Sequence, residues 1–244
     1  MARRQQMVYD MYMRRYAVRP DRVYTWTPDI AYCVGLMASD GCLQKDGRHL
    51  DLTSVDHDQL LNFCKAFGRD IYIGTKQSGS ETPAYRVQFS DVAFYDFLVK
   101  VGLTPAKSHT IAALSIPSQF YPDFLRGLFD GDGTTYGYFD PRWKSSFMFY
   151  VSFASASRPF LEYVQQMNDR YAGTVKGTIK SSTRVYSLAY AKTDSLKLAK
   201  FMYYQEGVPH LIRKKEKLNR FIKQHEDAIL SPDARVVKLV NTQP

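Results

Sequence analysis

The chain has few cysteines, and the three present (Cys33, Cys42 and Cys64 among 244 residues) form no CxxC pair and leave one unmatched in any pairing. That argues against a disulfide framework and a cysteine zinc site and makes a reducing compartment the default expectation. Five scattered histidines (His49, His57, His109, His210, His225) offer no zinc-ligand spacing. No apolar run approaches the ~18–20 residues that cross a bilayer. The N-terminus is rich in arginine and lacks the apolar stretch of a secretory signal, so the bacterial or archaeal cytoplasm or an organelle matrix is expected, with no membrane partner. Low-complexity tracts are absent, and neither Gly-Asp-Gly has the spacing or the lysine of a phosphate-binding loop. Acids are the scarcer charge, 24 Asp and Glu against 33 Lys and Arg, giving a net charge of +9. That surplus suits a polyanionic partner. With 45% hydrophobic and 14% aromatic residues the chain can bury a core.

What the sequence does have is itself, twice. Residues 31–43 read AYCVGLMASDGCL and residues 123–135 read DFLRGLFDGDGTT. A Gly-Leu pair precedes an Asp-Gly pair in both, and the offset is 132 − 40 = 92. Pro28-Asp29 and Pro122-Asp123 are helix-start signals, and the glycine after each aspartate is a helix-stop signal. Further on, 49–67 pairs with 150–168 and 84–98 with 185–199 at an offset of about 101, which places a longer hairpin through 136–146 of the second copy. Alternation at Leu50/Leu52, Val87/Phe89, Val151/Phe153 and Leu188/Tyr190 marks strands, and 56–67, 91–101, 157–170 and 193–205 have helical spacing. Each half reads helix–strand–strand–helix–strand–strand–helix, an α+β pseudo-dimer. The expected divisions are a basic arm (1–24), a first repeat (25–101), a connection (102–120), a second repeat ending in a basic helix at 208–227 (121–227) and a tail (228–244).

Small residues recur at helical spacing in both motifs, at Ala31, Gly35 and Ala38 and at Gly127 and Gly131, which lets two helix backbones approach closely. If the copies pack about a pseudo-twofold axis, Asp40 and Asp132 meet at the negative ends of two helix dipoles. Two like charges there are unfavourable unless a divalent cation joins them, and hard oxygen ligands suit Mg²⁺. A carboxylate pair holding metal beside a phosphodiester is the apparatus of phosphoryl hydrolysis.

CVGLMASDG (33–41) and LRGLFDGDG (125–133) resemble the two motifs of the single-chain LAGLIDADG homing endonucleases, and the likeness runs over about residues 24–227. It implies two αββαββα halves with the motif helices at their interface and two antiparallel sheets forming a saddle over double-stranded DNA. It further implies a monomer that cuts both strands of a long site with Mg²⁺ (Mn²⁺ substituting) and leaves 3′ overhangs. By the same resemblance Asp40 and Asp132 are the catalytic, metal-ligating acids, aided by the carbonyls of Ser39 and Gly131. Lys107 is the lysine beside the metal in one half, and Lys214 or Arg213 its counterpart. Ser54 and Ser155 stand where a longer polar side chain is usual. Ala38 departs from a common Asp that Asp130 keeps. An intron RNA maturase or a non-cleaving DNA-binding regulator is the alternative on the same fold.

The period of two assigns the reading faces. Gln44, Arg48, Asp51, Thr53, Lys76, Arg86 and Gln88 face outward in the first half, and Tyr138, Arg142, Ser152, Lys176, Lys180, Arg184 and Ser187 in the second. Arg3, Arg4, Arg14, Arg15, Arg19 and Arg22 of the arm, and Arg213, Lys214, Lys215, Lys217, Arg220 and Lys223 of the terminal helix, are expected to grip phosphate.

Overall fold

A computed structural model of the chain describes residues 22–76 and 83–230; Arg3, Arg4, Arg14, Arg15 and Arg19 of the arm and the tail beyond Leu230 lie outside the described residues. The first half runs α1 (Pro28–Ser39), β1 (Gly41–Leu43), β2 (His49–Ser54), α2 (His57–Phe67), β3 (Ile73–Lys76), β4 (Ala84–Ser90) and α3 (Val92–Val101). The second runs α4 (Tyr121–Asp132), β5 (Gly133–Asp140), β6 (Trp143–Ser155), α5 (Arg158–Tyr171), β7 (Thr178–Ser182), β8 (Val185–Ala191) and α6 (Lys192–Met202), followed by α7 (Ile212–Leu230). The element order read from the repeat is the order observed. The extra residues of the second copy lengthen the β5–β6 hairpin, where β6 has 13 residues against 6 in β2.

Local chemistry sets the boundaries. Thr27 accepts a hydrogen bond from the Ile30 N–H at 3.1 Å and Pro28 opens α1, where a missing N–H costs nothing. Asp91 caps α3 at Phe94, 2.9 Å, and Gly68 and Gly102 end α2 and α3 in left-handed conformations. Each half makes a four-stranded antiparallel sheet with a central pair, in the orders β1-β2-β4-β3 and β5-β6-β8-β7. One face of each sheet is buried under helices: Leu50, Leu52, Val87 and Phe89 in the first, Val151, Phe153, Leu188 and Tyr190 in the second. Strand alternation leaves the other face open for Asp51, Thr53, Arg86 and Gln88, and for Tyr136, Tyr138, Tyr150 and Ser187.

The halves join along α1 and α4 with almost no side chain between the backbones. A Cβ on Gly35 would sit 2.2 Å from the Phe124 carbonyl oxygen, and one on Gly127 would sit 2.2 Å from that of Tyr32. The glycines following the two aspartates act differently from the sequence expectation. Gly41 begins β1, and Gly133 begins β5 with extended backbone (φ −81°, ψ 151°), so neither is a left-handed stop. They are glycine because the chain reverses against its own helix: a Cβ would lie 2.6 Å from the Met37 Cα at Gly41 and 2.5 Å from the Phe129 carbonyl oxygen at Gly133.

The pseudo-symmetry also explains the departure at Ala38. Across the helix pair, the buried Asp130 carboxylate accepts from the Tyr32 hydroxyl at 2.8 Å and from the Leu211 N–H at 2.7 Å. The positions 92 residues away are Phe124 for Tyr32 and Ala38 for Asp130. A polar pair on one side of the axis is thus matched by an apolar pair on the other; both hydrogen bonds to Asp130 fall on Oδ2, and its buried Oδ1 has no partner among the described residues.

Arg126 is fully buried and donates to the carbonyls of Pro209 and Met202, each at 2.8 Å, and to Asp123 at 2.6 Å. It ties α4 to the segment that leads into α7. Arg126→Met leaves Asp123, 1% exposed, without its cation, and should lower stability in urea titrations by about 3–5 kcal/mol. Asp123→Ala added to it recovers part of that loss, since it removes the stranded charge.

Candidate active site

Asp40 follows the last residue of α1, its N–H bonded to the Leu36 carbonyl at 3.0 Å, and Asp132 is the last residue of α4. The close glycine packing upstream brings these helix ends side by side. The Asp40 Oδ2 lies 3.1 Å from where a Cβ on Gly131 would be. Burial, followed by the Asp40 charge, pushes Asp132 up to about 6. Burial raises Asp40 as well, opposed by a hydrogen bond from Gln59.

Two lysines close the ends of the motif helices. Lys107, in the short turn Lys107–His109 of the connection, donates to the carbonyls of Ser39 (3.1 Å) and Gly41 (2.7 Å). Lys214, on the first turn of α7, donates to those of Gly131 and Gly133, each at 2.7 Å, and of Phe129 at 2.9 Å. The acceptors correspond, because 131 − 39 and 133 − 41 are both 92. An ammonium group at a helix C-terminus satisfies carbonyls that have no intrahelical partner and offsets the dipole. Burial lowers both amines, Lys214 to about 8. Of the two candidates in the second half, Lys214 is the one at the site. Arg213 turns away and pairs with Asp56. The Ser39 and Gly131 carbonyls each hold a lysine and keep a second lone pair for another ligand.

Gln59 is the site residue that the sequence reading missed. Its Nε2 donates to the Asp40 Oδ2 at 2.7 Å, and its Oε1 accepts from the Ser54 hydroxyl at 3.1 Å. Ser54, too short to reach the acid, acts through it. The signal available was Gln59 three residues after Asp56 at a helix start, a pattern that reads as a capping box and so hides another use. The second half has no equivalent. Residue 160, at the matching offset of 101, is a buried phenylalanine, and no described residue donates a hydrogen bond to the Asp132 carboxylate.

Ionising Asp132 therefore costs folding free energy. Its folded pKa, about 6, lies above the unfolded value, which is about 3.9. The folded state then binds the proton more tightly, and stability falls as pH rises from about 4 to about 6. Without divalent metal, Asp132→Asn should raise stability by about 1–3 kcal/mol at pH 7.5 and leave it nearly unchanged at pH 4. Urea titrations at the two pH values check this.

The open sheet faces need two corrections. Asp51 and Ser152 lie on the expected faces but are buried. Both sit on central strands with neighbours on either side. Asp51 accepts from Gln44 at 2.9 Å and pairs with Arg86 at 3.0 Å, so it holds those two side chains in place. Ser152 and Ser187 hydrogen-bond each other at 2.7 Å. Lys176 precedes β7 as a loop residue whose N–H bonds Asp194, so it is not a strand position. Arg48, Arg142 and Arg184 are exposed in the hairpin turns, with Arg142 paired to Asp140 at 3.0 Å. Thr53, Lys76, Gln88, Tyr138 and Lys180 are at least partly exposed as expected. The terminal helix starts later than expected, at Ile212, with Lys214 buried, and Lys217, Arg220 and Lys223 remain exposed.

Residues 120–226 match the sequence model of the LAGLIDADG-like domain family. No curated protein matches the chain. Among solved structures, the chain is similar to the meganuclease I-SmaMI bound to uncleavable DNA, with 13% identity over 89% of this chain and 96% of that one and a TM-score of 0.57. It is similar to I-DmoI in complex with DNA and Ca, with 16% identity, 79% and 97% coverage and a TM-score of 0.51. Full-length DUF199/WhiA from Thermatoga maritima aligns with 15% identity over 90% of this chain and 68% of that one, at a TM-score of 0.54.

Proposed function

The chain carries the two-repeat LAGLIDADG fold, and on that premise we propose that it is a site-specific, divalent-metal-dependent endonuclease of double-stranded DNA that works as a monomer. The observation that carries this reading is the meeting of Asp40 and Asp132 at two helix ends between two open sheet faces. The alternative regulator or maturase has no use for two acids whose ionisation burdens the fold.

The donor set fits a hard cation. No described residue donates a hydrogen bond to Asp132, the Ser39 and Gly131 carbonyls retain lone pairs, and the Asp40 charge that raises Asp132 is what a cation relieves. Asp40, Asp132 and those carbonyls would hold Mg²⁺ or Mn²⁺, which when bound supplies electrophilic activation of the scissile phosphate and of water. Gln59 fixes the Asp40 carboxylate in one orientation. Lys107 and Lys214 hold the helix ends and place positive charge beside the position of the phosphorane. Gln44, Arg86 and Gln88 reach base edges from the first sheet, with Arg suited to guanine and Gln to adenine. Arg48, Arg142, Arg184 and the α7 cations contact phosphates.

A randomised duplex library tests the proposal, with bound sequences selected in Ca²⁺ and cut sequences collected in Mg²⁺. A single long sequence class recovered from both arms is expected. Specific binding with no cuts in Mg²⁺ or Mn²⁺ would sink the nuclease reading and leave the regulator.

A further inference from the structure

The two open sheet faces differ in chemistry. The first carries Gln44, Arg86 and Gln88 around the buried Asp51, all of them long or charged. Among the described residues, the second has no charged side chain at its centre. Tyr136 stacks on Tyr150 with ring centroids 5.0 Å apart and planes 11° apart, and Tyr138 stacks on Tyr150 at 6.2 Å. Tyr136 and Tyr138 are 43% and 48% exposed. Beyond them the face falls to small residues: Ser152 opposite Ala189, and Ala154 opposite Ser187. Among the described residues, cations stand at the rim, at Lys180, Arg184 and Arg142.

We propose that the second sheet reads its half of the DNA site through thymine methyl groups, with Tyr136, Tyr138 and Tyr150 as the specificity-determining side chains. This rests on the duplex-DNA reading above. The C5-methyl of thymine is the one apolar feature on the floor of the major groove, and flat rings and alanines are what meets it favourably. Arginine and glutamine, which read purine edges by paired hydrogen bonds, are absent from the described centre of this face and present on the other. Basic residues at the rim and neutral ones at the centre match a groove whose edges are phosphate and whose floor is base. The small residues let the backbone approach the methyls closely. The site should therefore be asymmetric, with a thymine-rich half under the second sheet and a half with specified purines under the first.

The test starts from the sequence selected in Ca²⁺. The half under the first sheet is the one whose preferences relax with Arg86→Ala. Thymine is then replaced by uracil in one half at a time, which removes methyls and leaves pairing intact. Binding should weaken by about fourfold for each methyl lost in the second half and by less than about twofold for the whole first half. With Tyr150→Ser the uracil penalty in the second half should shrink, a coupling that general damage to the fold would not produce. Specific binding with no uracil effect in the second half would overturn the inference and leave the endonuclease reading standing. A pyrimidine-rich single strand bound as tightly as the duplex would also overturn it, since the rings would then stack on unpaired bases. If no specific duplex is selected at all, both readings fall.

Discussion

Gly127→Ala should destabilise the protein by more than about 3 kcal/mol. Its added methyl would sit 2.2 Å from the Tyr32 carbonyl oxygen and 3.1 Å from the Gly35 Cα. All of these neighbours are backbone, so no rotamer change relieves the clash, and α1 and α4 must move apart. Overpacking costs typically about 1–3 kcal/mol where side chains can give, and more where they cannot. Separating these helices also loosens the Tyr32–Asp130 hydrogen bond and the carbonyls that Lys107 and Lys214 hold. A loss above about 3 kcal/mol corresponds to roughly a 10 °C fall in Tm for a chain of this size. Gly47→Ala is the control. Gly47 has φ +76° but open space around it, so the cost there is the backbone strain alone, about 1 kcal/mol. Similar losses for both variants would show that the helix contact is not the tight joint described.

The second large effect is on catalysis. Asp40→Asn and Asp132→Asn, singly, should each lower double-strand cleavage by about 10³-fold or more, because each removes a charged oxygen that would hold the activating cation beside the phosphate. Binding in Ca²⁺ should weaken far less, since most affinity comes from phosphate contacts remote from the axis. The two variants should not be identical. Asp40 is held by Gln59, which Ser54 in turn fixes, while no described residue gives Asp132 such support. Gln59→Leu should therefore depress the strand cut that depends on Asp40 more than the other, with end-labelled strands as the readout. Equal effects on both strands would show Gln59 to be a general packing residue.

How much of this was legible follows from what each feature depends on. The fold and the two acids were readable because the chain states them twice, and the 92-residue spacing needs no knowledge of packing. Lys107 and Lys214 were placed at the site only by resemblance. Their carbonyl partners lie more than 60 residues away in sequence, so no local pattern encodes them. Gln59 was hidden by a helix-start pattern that explained it too readily. The alternation of β2 gave the correct face for Asp51, but alternation reports direction and not depth. The cover provided by Gln44 and Arg86 arises only once three strands are paired. The tyrosine ladder of the second sheet was seen only at Tyr138, because its other members alternate along a hairpin whose register the sequence left open.

The central claim is that two acids on one pseudo-twofold axis serve two DNA strands. Its most direct measurement is the position of the cut on each strand of a selected duplex, end-labelled on either strand, with wild type and the Asp40→Asn/Asp132→Asn double variant. The account predicts one cut per strand, close together across the minor groove with 3′ overhangs, and no cut by the double variant. Scattered cuts, or cuts that persist in the double variant at the wild-type positions, would contradict it.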